Sequence, residues 1–164
     1  GVFEAATQAV KDAELISFDA SDIVTAEVGI ELVGSEAVIE TELPIEKAEV
    51  LVCAGLGAAV TGNFEKVKAF AKKLGASFCY TRPIADLGYM PNEHAMVGTS
   101  GKTVKPKLYI GFGVSGAAQH VCGMKDSGMI ININSDEEAD SFRISNYKVV
   151  SDCGAVLDEL LKQI

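Results

Sequence analysis

The chain is expected to fold as an α/β domain: a doubly wound parallel sheet with helices on both faces, preceded by a β-rich N-terminal segment. Three observations lead there. From about residue 48 onward, short apolar runs alternate with Gly-rich turns and amphipathic stretches. Glycine is abundant, at 16 of 164 residues, while aromatics are sparse and tryptophan is absent, which disfavours an aromatic-cored β-sandwich. Hydrophobic residues make up 48% of the chain and charged residues 23%, enough apolar material for one core of ordinary size.

The first element of that pattern is Val50-Leu51-Val52-Cys53-Ala54, a continuous apolar run of the kind a strand buried on both faces requires. A Gly-rich turn from Gly55 to Gly62 leads to a helix headed by Asn63. In it Phe64, Val67, Ala71 and Leu74 recur at helical spacing, and Gly75 stops it. Ala76 to Tyr80, Leu108 to Val114, Met129 to Ile133 and Lys148 to Ser151 read as the remaining strands. A short helix is expected from Gly116 to Val121 with Ser115 as its N-cap. Val156, Leu157, Leu160 and Leu161 form the apolar face of the last helix. Strands alternating with helices imply parallel pairing through right-handed crossovers.

Residues 1–46 differ in character, with Val- and Ile-rich alternation and many acids. Glu14 to Phe18 reads as a strand, Ile30 to Glu40 as a hairpin around Gly34-Ser35, and Phe3 to Ala13 as a weakly patterned helix. The expected division is therefore a β-rich segment over 1–46 and the main domain over 47–164.

The formal net charge of −9 disfavours non-specific binding to nucleic acid or to an anionic membrane surface. No apolar run approaches the roughly 20 residues that span a bilayer, and no basic leader precedes an apolar segment. These features predict a cytoplasmic protein with no membrane insertion. The four cysteines fall in no CxxC spacing and there are two histidines, so a metal site has little support. Cys53 and Cys79 lie in strand runs and read as small buried hydrophobes.

In a doubly wound sheet, ligands bind beyond the carboxyl ends of the strands. Five segments qualify: Gly55 to Gly62, Thr81 to Pro91, Val97 to Lys102, Gly113 to His120, and Asn134 to Glu138. Gly111-Phe112-Gly113-Val114-Ser115-Gly116 matches GxGxxG, with Asp136 twenty residues further on. The match is weak, because Gly111 falls inside the expected strand. The small residues from Ser115 to His120 suit backbone N–H contacts to a phosphate or an oxyanion; an ordinary Ser-capped helix explains the same residues. Arg82, between a strand and Pro83, is either held at a strand end or a surface arginine. His120 is either a cofactor contact or a hydrogen-bonded structural histidine.

Taken in order, the segments are more specific than any one of them. Thr81-Arg82-Pro83-Ile84-Ala85-Asp86-Leu87-Gly88-Tyr89-Met90-Pro91-Asn92 resembles the arginine-containing segment of the electron transfer flavoprotein α subunit. Val97-Gly98-Thr99-Ser100-Gly101-Lys102-Thr103-Val104 resembles that family's next flavin loop. Gly113-Val114-Ser115-Gly116-Ala117-Ala118-Gln119-His120 and Gly123-Met124-Lys125-Asp126-Ser127 continue the signature. Asn134 falls where the family has its adenosine-side Asn, and Tyr147 to Asp152 resembles its last strand and terminal acid. The resemblance covers residues 48–164.

The resemblance implies that residues 47–164 form an FAD-binding domain, the C-terminal part of such a subunit. It implies an electron carrier rather than a substrate-converting enzyme, serving flavin dehydrogenases such as an acyl-CoA dehydrogenase and paired with a β subunit. By the same resemblance Thr81, Arg82, Val97, Gly98, Thr99, Ser100 and His120 lie around the flavin, with Arg82 as the cation beside the ring, Ser100 near N5 and His120 near O2. Ser115, Gly116, Ala117, Ala118 and Gln119 hold the pyrophosphate and ribityl chain, while Asn134, Asp152 and Cys153 lie toward the adenosine. One departure stands out: Leu56 occupies the place where the family's first turn carries an arginine. The competing readings are a nicotinamide-nucleotide domain of similar topology and a non-redox interaction module.

Overall fold

The computed structural model describes residues 15–19, 33–34, 44–90 and 95–164. Its contacts group into two compact units, Gly1–Val38 and Ile39–Ile164, and the elements named below all belong to the second. The helix expected at Phe3 to Ala13 lies outside the described residues, as does the hairpin at Ile30 to Glu40 apart from Val33 and Gly34. Residues 15–19 are irregular rather than a strand. Alternation marks an apolar face but supplies no partner strand, and isolated strands are not stable alone.

The second unit is built on five parallel strands: β1 (Val50–Ala54), β2 (Ser77–Tyr80), β3 (Leu108–Phe112), β4 (Met129–Asn134) and β5 (Tyr147–Val150), in the spatial order β2-β1-β3-β4-β5. The register sets Cys53 beside Cys79 and Gly111, and Gly111 beside Asn132. The connecting helices are α1 (Leu56–Val60), α2 (Phe64–Leu74), α3 (Arg82–Asp86), α4 (Ala118–Met124) and α5 (Cys153–Gln163).

Successive side chains of β1 point to opposite faces, so this strand feeds two cores. Val52 and Ala54 pack with Phe64, Val67 and Phe70 of α2 and Leu157 of α5. Leu51 and Cys53 pack on the other face with Tyr109, Val97, Val104 and Met124 of α4. The expected doubly wound α/β arrangement is the one observed.

Three local expectations need correction. The Gly55–Gly62 turn contains the short helix α1. β3 stops at Phe112, because Gly113 has φ +64 and leaves the extended region. Helix α4 starts at Ala118, not Gly116, and its N-cap is Ala117 with no side-chain bond. Gly116, at φ +92, is not helical, and the Ser115 carbonyl instead accepts from the Ser141 amide at 3.0 Å.

Helix α5 is capped by Asp152, whose side chain accepts from the Ala155 amide at 2.9 Å. Asp152→Ala is expected to destabilise the domain by about 1 kcal/mol, the usual loss for a removed N-cap, and Asp152→Asn by much less. Urea unfolding of both variants checks this.

Candidate functional site

The strand order reverses between β1 and β3: the chain moves outward from β1 to β2, then crosses back to β3. At such a switch point the loops leaving the two neighbouring strands run in opposite directions and leave a crevice beyond their carboxyl ends. A cleft of about 710 Å³ lies there, lined from all five segments singled out in the sequence. Its floor is tight. The Gly55 amide donates to the Phe112 carbonyl at 2.8 Å, and the Gly57 amide to Gly113 at 3.0 Å.

Of the residues expected at a site, the cleft brings together Thr81, Arg82, Val97, Gly98, Thr99, Ser100, Ser115, Ala117, Gln119, His120 and Asn134. Gly116, Ala118, Asp152 and Cys153 do not line it. Gly116 packs against the Asp140–Ser141 backbone. Asp152 is the cap of α5. Cys153 is buried, with Sγ 3.6 Å from the Ile133 carbonyl; burial and the neighbouring Asp152 push its thiol up to about 11, so it stays a neutral group.

Two lining residues are engaged inside the protein. Asn134 donates from Nδ2 to the Val114 carbonyl at 3.0 Å, and its Oδ1 accepts from the Asp136 amide at 3.1 Å. It thereby ties the loop after β4 to the loop after β3. His120 is only 6% exposed. Its Nδ1 lies 3.0 Å from the Val97 carbonyl and its Nε2 2.8 Å from the Tyr109 hydroxyl. A carbonyl only accepts, so Nδ1 carries a hydrogen. The sequence-based role of a ring nitrogen donating into the site is not what this geometry offers, because both nitrogens face protein partners. The histidine holds the 97–100 loop against α4, where the Thr99 amide also bonds the Gln119 carbonyl at 2.9 Å.

The donor set suits an extended anionic ligand. Among the described residues, the amides of 115–119 donate to no protein acceptor, and Thr99 and Ser100 add hydroxyls to the lining. Arg82 is the cation of the lining, and its Nε is 3.6 Å from Asp86 Oδ2. Asp86, Asp136, Glu138 and Asp140 also line the cleft. Lys102, near in sequence, does not reach it: its Nζ pairs with Glu46 at 2.9 Å, and that hydrogen bond holds the Glu46 carboxyl below its ordinary range. Sequence reasoning passed over Ala139, Asp140 and the structural partner Tyr109. Strand alternation places Tyr109 on the Cys53 face, but nothing in the sequence says that its hydroxyl meets His120.

A parallel α/β sheet with a roomy cleft at its switch point, walled by small residues, free amides and hydroxyls, defines a dinucleotide-binding domain. GxGxxG at Gly111 is not its phosphate turn. Gly111 sits inside β3, where an added Cβ would run into Asn132 Oδ1.

Residues 44–125 match the profile of the family described as the electron transfer flavoprotein FAD-binding domain, and the chain belongs to that family. It is similar to the mitochondrial electron transfer flavoprotein subunit alpha of Oryza sativa subsp. indica, with 45% identity over 126 residues, 76% of this chain and 35% of the relative. The subunit alpha of Pseudomonas aeruginosa is 41% identical over 132 residues, covering 80% of this chain and 42% of the relative. That of Thermoanaerobacterium thermosaccharolyticum is 34% identical over 154 residues, 94% and 46% respectively. The chain thus spans between about a third and a half of the length of these relatives. Among the described residues, no helix is long and apolar enough to cross a membrane.

Proposed function

We propose that the cleft holds FAD non-covalently and that the protein carries electrons between a flavin dehydrogenase and an acceptor. The observation that supports it most is the cleft itself, which gathers residues of all five sheet-edge segments at one switch point. Bound there, FAD supplies the redox chemistry, accepting and releasing electrons at its ring. The protein supplies position and electrostatics.

In this reading Thr81, Arg82 and the 97–100 loop surround the ring, and Arg82 contributes a charge that does not titrate. The amides of Ser115, Ala117 and Gln119 and the Ser115 hydroxyl receive the ribityl and pyrophosphate oxygens. The loop fixed by Asn134 receives the adenosine, with Asp152 and Cys153 supporting that loop from α5 rather than touching the ligand. His120 acts from the wall as a buried ring, not as a direct donor. A β subunit is the proposed partner.

The test is anaerobic. The chain is loaded with FAD and mixed, with and without an electron transfer flavoprotein β subunit, with an acyl-CoA dehydrogenase and its substrate. Loss of the oxidised flavin's visible bands, faster with the β subunit present, is the expected result. A chain that keeps FAD bound and oxidised under both conditions would overturn the electron-carrier reading while leaving the binding site intact.

A further inference from the structure

Two buried polar side chains behind the cleft are not accounted for by the proposed ligand contacts. Asn132 of β4 and Ser141 of the 3-10 turn Asp140–Ile144 are each 1% exposed, and neither lines the cleft. Asn132 Nδ2 donates to the Ser145 hydroxyl at 2.9 Å and to the Ser141 carbonyl at 3.3 Å. The Ser145 hydroxyl donates to the same carbonyl at 2.7 Å. A carbonyl only accepts, so the amide nitrogen of Asn132 and not its oxygen faces this turn. Among the described residues, Asn132 Oδ1 and Ser141 Oγ find no hydrogen-bond partner, and both residues border a gap too narrow for a water molecule. Gly111, which is not a phosphate glycine, makes room for the amide. It pairs with Asn132 across the sheet, and Asn132 Oδ1 stands against the place that a Cβ at 111 would take.

The stretch that Asn132 holds is the one that aims the Ser115 loop. The Ser141 amide donates to the Ser115 carbonyl at 3.0 Å, and Asn134 Nδ2 donates to the Val114 carbonyl at 3.0 Å. In a trans peptide the C=O and N–H point in opposite directions. Drawing these two carbonyls toward the 134–141 stretch therefore turns the Ser115 and Gly116 amides away from it. Gly116 permits the approach: a Cβ there would run into the Ser141 amide.

We propose that Asn132 is a positioning residue for the ligand's phosphates: it holds the Asp140–Ile144 turn so that Ser141 clamps the Ser115 peptide and fixes the Ser115 amide and hydroxyl at the cleft. The proposal rests on the FAD reading of that cleft. A buried amide with one atom unpaired is a poor way to stabilise a strand, and an apolar side chain would avoid the cost. What only the amide supplies is a donor aimed at the Ser141 carbonyl, and with it the place of residue 141 beside Ser115. Asn132 thus acts on the ligand through Ser141 and Ser115 without touching it.

The clamp is tested first on the full chain without flavin, by amide hydrogen exchange. In the wild type the Ser141 amide should be protected; exchange as fast as at an exposed amide would overturn the proposal. Asn132→Ala should speed exchange at Ser141 at least about tenfold while the amides of β1 and β3 keep their protection, and Ser145→Ala should speed it about threefold. With FAD added, the affinity of Asn132→Ala should fall about five- to tenfold and that of Ser145→Ala about threefold. At saturation the ³¹P resonances of the bound pyrophosphate should move toward those of free FAD in both variants. The flavin's visible bands should keep their wild-type positions, because the ring wall is untouched. A role in stability alone would lower protection across the whole sheet and leave the ³¹P resonances of the folded, saturated protein unmoved. That outcome, or FAD affinity in both variants within about 1.5-fold of wild type, would overturn the proposal and leave the FAD reading standing. A wild type that retains no FAD would overturn the reading itself, and the phosphate role with it. Ser145→Ala, the smaller change, decides the matter if Asn132→Ala fails to fold.

Discussion

Gly113→Ala is expected to destabilise the domain by about 3–5 kcal/mol and to abolish FAD retention. Two effects add at this residue. Its φ of +64 is a conformation that costs a side-chain-bearing residue about 1–2 kcal/mol. An added Cβ would also meet the Ala58 amide of α1, and lies 2.8 Å from the Gly57 carbonyl carbon. Those are backbone atoms, held by the Gly57 amide bond to Gly113 and the Gly55 amide bond to Phe112, so no side chain can swing aside. Either α1 moves or the turn after β3 changes course, and both line the cleft. Gly62→Ala is the control. Gly62 has φ +73 but nothing within 4 Å of a new Cβ, so it should lose only the conformational part. Urea midpoints for the two variants, with unchanged slope, isolate the crossing. Equal losses would mean that the close approach of α1 and β3 is not what the glycine serves.

The second large effect runs the other way: Leu56→Arg should tighten FAD binding about tenfold. Among the described residues, the cleft is lined by four carboxylates, Asp86, Asp136, Glu138 and Asp140, against Arg82 alone, itself near Asp86. A pyrophosphate brought there finds amides but little cationic charge. Leu56 is the first residue of α1, lines the cleft and is 38% exposed, so a longer charged side chain has room. A charge-assisted hydrogen bond contributes roughly 1.5–3 kcal/mol. Partial exposure, and a cation near the start of a short helix, place the gain at the lower end, and about 1.4 kcal/mol is a factor of ten. Calorimetric titration of the apoprotein with FAD at low and moderate salt measures it. The gain should shrink as salt rises. An affinity equal to wild type at low salt would show that no phosphate approaches this position.

The parts of the molecule that were legible in the sequence are those written in local patterns. Val50–Ala54 announces a doubly buried strand, and the Phe64-Val67-Ala71-Leu74 stripe announces a helix face; both appear within a residue or so of where they were expected. The order of the strands was not legible, because it depends on which way each crossover turns. The hydrogen bonds of Asn134, His120 and Asp152 within the protein were not legible for a related reason. Polar residues at strand ends suit ligands, but they equally suit the loop, ring and cap bonds they make here. A sequence shows which groups sit at the edge and does not show where their hydrogen bonds go. Leu56 was visible as a departure from its family, whereas the acidic lining that gives the departure weight appeared only when α3 and the stretch after β4 came together.

The central claim, that this chain is an FAD-binding domain in its own right, is tested most directly by releasing its flavin. The purified chain is reconstituted with an equal mixture of FAD and FMN, freed of unbound flavin, then denatured, and the released flavin is identified. The cleft's volume of about 710 Å³, with both Arg82 and Asn134 in its lining, predicts a yellow protein that releases FAD at close to one per chain. Release of FMN alone, or a colourless protein that keeps no flavin, would contradict it.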